Sequence, residues 1–177
     1  MKKTGWTFLV VRGDGEIVSE HDGSPWEIKK WRAVKPPERE VIGLNCSTFI
    51  QDALRYVNGT VLAKVQYTGK VIETQDKVTC EKMRITAAWE WGREQSVKMA
   101  IFSAEEVLPN FEKSFPDDKR PRQAIAAARS AADAARSADD AARSAAAAAR
   151  SADDAEKQKK RIHRFCVEMT KGMKVIG

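Results

Sequence analysis

A seven-residue phrase repeated towards the C-terminal end restricts this chain more than any other feature. Arg-Ser recurs at Arg129-Ser130, Arg136-Ser137, Arg143-Ser144 and Arg150-Ser151, seven residues apart each time. With each Arg at heptad position b, position a is Ala128, Ala135, Ala142 and Ala149, and position d is Ala131, Ala138, Ala145 and Ala152. Position g is Ala127, Ala134, Ala141 and Ala148, while position f carries Asp133, Asp140 and Asp154, with Ala147 as the exception. One stripe is therefore alanine only, and the opposite side is Arg, Asp and Ser.

Alanine loses no side-chain entropy in a helix, so a tract of this composition favours helix strongly. Arg129–Asp133, Arg136–Asp140 and Arg150–Asp154 are i,i+4 pairs, and Asp133–Arg136 and Asp140–Arg143 are i,i+3 pairs. Each adds about 0.2–0.5 kcal/mol. No Gly or Pro falls between Pro121 and Gly172, and an unbroken helix of about 50 residues would be roughly 75 Å long. An alanine seam buries little apolar area and cannot hold a structure together alone. It does let another backbone approach closely, and a strict heptad favours left-handed pairing. The tract is expected to be a helical arm, or else a close-packed helical hairpin or self-association surface that would make a homo-oligomer.

The rest of the composition sets wider limits. The 177 residues suffice for one core plus an extension. Charged residues make up 32% and the net charge is +6, which suits a soluble chain and permits nucleic-acid binding without requiring it. Cys46, Cys80 and Cys166 are odd in number and in no CxxC spacing, which points to a reducing compartment and no structural zinc. There is no 18-residue apolar run and no signal peptide, since Met1-Lys2-Lys3 leads into a strand-like segment. A cytoplasmic protein with no membrane partner is expected.

Periodicity divides the chain in two. Thr4 to Arg12 alternates as a strand, Gly13-Asp14-Gly15 is a turn, and Glu16 to Ser19 a returning strand. Gly23-Ser24-Pro25 opens a loop that carries Trp26 and Trp31, and Lys35-Pro36-Pro37 breaks the chain again. Val41 to Leu44 reads as a short strand, Ser47 as an N-cap, and Thr48 to Val57 as a helix ended by Asn58-Gly59. Thr60 to Tyr67 alternates, Gly69 separates it from a strand at Lys70 to Glu73, Asp76 to Thr79 is a turn, and Cys80 to Thr86 is a last strand. This gives a small α+β domain over residues 1–88, with a mixed sheet and one helix. Residues 93–177 are then helical and include the alanine-rich repeat at 124–155. Arg93 to Phe115 carries an apolar stripe from Val97 to Phe115, with Pro109 expected to kink or restart it. Pro121 suits a first helical turn. Ile162, Phe165, Cys166 and Met169 form a second stripe at i, i+3, i+4, i+7, for which the Val97–Phe115 helix is the natural partner. If it is, the long helix must fold back on itself or span the domain.

Two stretches resemble known families. Ser96 to Ala128 resembles alanine-rich immunity proteins of bacteria and phage. Their helix is followed by a segment like Val107-Leu108-Pro109-Asn110-Phe111-Glu112 and a motif like Phe115-Pro116-Asp117-Asp118-Lys119-Arg120-Pro121-Arg122-Gln123-Ala124-Ile125, then an alanine-rich run of variable length. Ile42 to Ile85 resembles a small domain of unknown function that often precedes such tails, through Gly43-Leu44, Ala53-Leu54-Arg55-Tyr56, Val61 to Val65, Gly69 and Asp76-Lys77. Within it, Gly43-Leu44, the helix and Leu62-Ala63-Lys64-Val65 are similar to the core of ADP-ribosyltransferases. Those enzymes need a His or Arg in the first strand and a late Glu. Here the histidines are His21 and His163, neither in a strand pattern, and no matching Tyr follows Gly43-Leu44. The first resemblance implies a protein that binds and neutralises another protein, a toxin or host-defence component, in immunity or phage counter-defence. The last implies a nucleotide-binding, degenerate transferase-like domain as the alternative.

No constellation of residues carries chemistry. Cys46 with His21 has no spacing to support a nucleophile and its base, and Cys46 reads as a small buried thiol. Gly13-Asp14-Gly15 lacks the spacing of a phosphate loop. Two histidines and scattered acids give no metal set, so no catalytic, cofactor-binding or metal residue is assigned, no cofactor is implied, and the protein is expected not to be an enzyme. The candidate partner-binding residues are Trp26 and Trp31 beside their breakers and the outward Arg129, Arg136, Arg143 and Arg150 of the repeat. Lys157, Lys159, Lys160, Arg161 and Arg164 form a basic run that could meet phosphates, the second alternative.

Overall fold

The structure, a computed structural model, describes residues 3–40, 42–57, 59–130 and 152–176. The chain forms two compact units, Met1–Trp91 with Thr170–Gly177, and Gly92–Met169.

The first unit is an antiparallel sheet that curls on itself. Its strands are β1 (Lys3–Val11), β2 (Ile17–Val18), β3 (Arg32–Ala33), β4 (Leu44–Cys46), β5 (Val61–Glu73), β6 (Val78–Glu90) and β7 (Val175–Ile176), with α1 (Ile50–Tyr56) between β4 and β5. The order is β2-β1-β5-β6-β3, and β4 and β7 also pair with β6. The residue after β4, Ser47, exchanges both backbone hydrogen bonds with Trp6 of β1 at 2.8 Å. That bridge carries the pairing from β6 through β4 back to β1.

Side-chain alternation divides the apolar residues between the two faces of the curl. Leu9, Val61, Val65, Met83 and Ile85 fill one face together with Leu44, Cys46 and Trp26. On the other face of β1, Phe8 meets Trp91 edge-on at 5.2 Å and Trp6 lies 6.1 Å from Trp89. The long β5–β6 hairpin bends through two register shifts, after Lys64 and after Thr68. Gly69 sits at the second with φ +85°, where Lys70 N–H donates to the Glu81 carboxylate at 3.1 Å. The glycine taken as a separator of two strands is therefore the left-handed position of a bulge inside one strand.

Other boundaries also differ from the sequence reading. The short strand expected at Val41 to Leu44 falls at Leu44–Cys46, and the expected turn at Asp76 to Thr79 already contains the start of β6. Ser47 is used as the closing bridge rather than as an N-cap, and α1 starts after Phe49 with no side-chain cap.

The second unit packs three described helices: α2 (Arg93–Ser114), α3 (Arg120–Ser130) and α4 (Ala152–Thr170). The Gly92 N–H donates to Gln95 Oε1 at 2.9 Å, closing the start of α2. The helix runs through Pro109, which is exposed, while its neighbours Val107 and Leu108 are buried. The helix does not restart at Pro109, because packing on the opposite side holds it. Ile125 packs with Ala104 and Leu108, and Ala128 with Ala100. Small side chains at these levels let the two backbones draw close.

Contacts run in opposite directions along α2 and its neighbours. Arg122 pairs with Glu112 at 2.7 Å and Arg129 with Glu105, so α3 is antiparallel to α2. Arg161 reaches Glu106 at 2.7 Å and Phe165 stacks on Phe102 at 4.2 Å, so α4 is antiparallel to α2 as well. A straight helix would separate Arg122 from Arg161 by roughly 58 Å, yet their partners Glu112 and Glu106 are six residues apart on α2. The described stretches α3 and α4 therefore both lie along α2, each antiparallel to it. The repeat between 131 and 151 lies outside the described residues, and with it the heptad pairing proposed there and Arg136, Arg143 and Arg150.

Candidate functional site

An apolar concavity of the helical unit lies where α2 meets α3 and α4. Val97, Ile101 and Phe102 come from one side of α2 because they recur at three- and four-residue spacing. Ala128 of α3 and Phe165 of α4 complete the apolar surface, and the cleft measures about 710 Å³. The Phe102 and Phe165 rings are parallel within 2° and stay half-buried.

Charges frame the cleft. Lys98 pairs with Glu94 at 2.6 Å, and Arg129 with Glu105, while Arg93 is exposed. The Lys98 ammonium holds the Glu94 carboxyl below its usual range by hydrogen bond and charge. Towards α4, Glu106 accepts from Arg161 Nη2 at 2.9 Å and from the Gln158 side chain through its backbone carbonyl at 3.2 Å. These pairs fix the spacing of the three helices and leave an apolar trough with charged edges. The described residues lining the cleft are five apolar and five charged ones.

The residues singled out from sequence are dispersed. Trp26 is 8% exposed, and its Nε1 donates to Ser19 Oγ at 2.8 Å. Trp31 is 36% exposed, with the Arg84 guanidinium 5.0 Å over its ring. Arg129 borders the helical cleft. Of the basic run, Arg161 is engaged by Glu106, Lys160 lies 3.5 Å from Glu156, Lys157 and Arg164 are exposed, and Lys159 is half-buried. Cys46 is buried in the sheet core with its thiol pushed above the ordinary range by burial, whereas His21 is exposed in the loop after β2. Among the described residues, no three His, Cys, Asp or Glu gather as a metal site, and no helix is long and apolar enough to cross a membrane.

The sequence reading named both apolar stripes but assigned neither to a site. The available signal was the match between Glu105-Glu106 on α2 and the cations Arg129 and Arg161, which point the three helices at one another.

Residues 86–169 match the family model described as Imm-5 like putative immunity protein. The match spans just under half of the chain, takes in α2, α3 and all but the last residue of α4, and covers none of residues 1–85. The helical unit is therefore similar to that family, as the Pro-Asp-Asp-Lys-Arg-Pro-Arg run implied. The resemblance of the first unit to ADP-ribosyltransferases receives no support from the match. No curated protein and no solved structure matches the chain.

Proposed function

We propose that this is a non-catalytic binding protein of immunity type, which holds a protein partner, a toxin or host-defence component, through the α2–α3–α4 cleft. A phage counter-defence role in the cytoplasm fits the same reading. One observation carries it: the immunity-protein match falls on the helical unit, the unit with an apolar trough framed by charge. Apolar centres ringed by polar groups are the usual anatomy of protein recognition sites.

The test is co-purification from the native host with full-length protein, comparing wild type with Val97→Asp at the cleft. A protein retained by the wild type and lost by a variant of unchanged circular dichroism supports the reading. Equal retention by both removes the cleft from the interaction.

A further inference from the structure

The first unit, outside the immunity-protein match, has a sheet face whose positive charge is left unbalanced. Strand register sets Trp6 opposite Lys64, Gln66 opposite Arg84, and Arg32 opposite Met83, which brings Trp31 beside Arg84. Trp6, Lys64, Gln66 and Arg84 therefore share the face turned away from Val65 and Ile85. One end of that face is closed, with Phe8 and Leu62 buried. The other end is open: Lys64 is exposed, Gln66 and Arg84 are half-buried, and Trp31 presents part of its indole to solvent.

Arg84 is the centre of the open end. Its Nε and Nη2 donate to Gln66 Oε1 at 3.0 and 2.7 Å, and its guanidinium carbon lies 5.0 Å from the Trp31 ring centroid. A neutral amide and an indole orient this cation without cancelling its charge. Its Nη1 has no acceptor among the described residues and is not sealed from solvent. Lys64, the diagonal neighbour of Arg84 across β5 and β6, holds its ammonium 5.8 Å from the Trp6 ring centroid. The acids on the neighbouring segments are taken by other cations: Glu27 by Lys30 at 2.7 Å, Glu73 by Lys3 at 2.6 Å and Glu81 by Lys82 at 3.5 Å. Among the described residues, neither Lys64 nor Arg84 has a carboxylate within ion-pair distance.

Two uncompensated cations beside an exposed planar pair select a polyanion that carries planar groups. Phosphates pair with Lys and Arg, and unstacked bases lie against aromatic rings and guanidinium planes with little regard to sequence. An acidic peptide would use the cations and leave the indole–guanidinium plane idle. A duplex keeps its base faces in the stack, and an open sheet face has no element to enter a groove. We infer that this face binds single-stranded nucleic acid, with phosphates at Lys64 and Arg84 and a base stacked on the Trp31–Arg84 pair. The site is independent of the partner-binding reading of the helices and separate from the basic run at Lys157 to Arg164.

The test is fluorescence anisotropy of labelled oligothymidylate and oligouridylate, each about a dozen nucleotides long, titrated with the full chain at about 50 mM salt. The expected Kd is below about 100 μM, with an annealed duplex of equal length bound at least about threefold more weakly. Lys64→Gln should reduce the slope of log affinity against log salt by about 0.7. Trp31→Ala should weaken binding at least about fivefold. Because Lys64 is exposed, Lys64→Gln serves as the test if Trp31→Ala does not fold. Lys157→Gln combined with Arg164→Gln should leave the affinity unchanged. No binding at that salt, duplex bound as tightly as the single strand, or displacement of the oligonucleotide by polyglutamate of equal charge overturns the assignment. So does undiminished binding by Lys64→Gln or by folded Trp31→Ala, or loss of binding in the Lys157/Arg164 variant.

Discussion

Single residues in the segment before α3 show how the chain sets a helix start. Asp118 receives the Arg120 backbone N–H at 3.1 Å and its guanidinium at 2.9 and 2.7 Å. Those hydrogen bonds to the charged form pull its carboxyl down to about 2. A depressed folded value means the contribution to stability is complete above the unfolded carboxylate value, near 4, and fades as pH falls through about 2. In a carbon-detected NMR titration, Asp118 should therefore titrate near pH 2, with Arg120→Gln returning it towards 4. A wild-type midpoint near 4 would show that the pair does not form. At the opposite extreme, burial pushes the Cys80 and Cys166 thiols up to about 12, so these thiols serve as apolar packing. The Pro-Asp-Asp-Lys-Arg-Pro-Arg run was readable because it is local. Arg84 was passed over because its neighbours Gln66 and Trp31 meet it only after the strands pair.

At the scale of elements, the apolar stripes were informative and the punctuation misleading. The Ile162–Met169 stripe needed a partner, and Phe165 finds Phe102 on α2 as the spacing implied. Phe165→Ala removes the stacked pair and part of the α2–α4 contact. Because both rings are half-buried, the cost should be about 2 kcal/mol, below the range for a fully buried Phe. Urea denaturation followed by circular dichroism measures it, and a change under about 0.5 kcal/mol would mean that α4 is held by other contacts. Gly69 and Pro109 mark breaks in a local reading, yet one sits in a bulge and the other inside a helix, since tertiary packing overrides local preference. Val175–Ile176 gave no signal, because two residues acquire strand geometry only from β6 beside them.

For the whole molecule, the apolar period switches from strand-like to helical between residues 88 and 93, while the sheet unit also takes Thr170–Gly177 from the far end of the chain. The strand order leaves no such mark, because closure depends on the Trp6–Ser47 backbone bridge, and backbone pairing leaves little trace in side-chain pattern. Nor did the repeat disclose that its flanks form separate helices. That follows from Glu112, Glu105 and Glu106 lying on one scaffold helix opposite Arg122, Arg129 and Arg161. Protein recognition is proposed for the helical unit alone. Hydrogen–deuterium exchange of the full chain, with and without the partner captured from the native host, tests that proposal most directly. Protection gained over residues 93–105, 120–130 and 161–169 is the expected result. Protection confined to residues 3–91, with the helices unchanged, would contradict it.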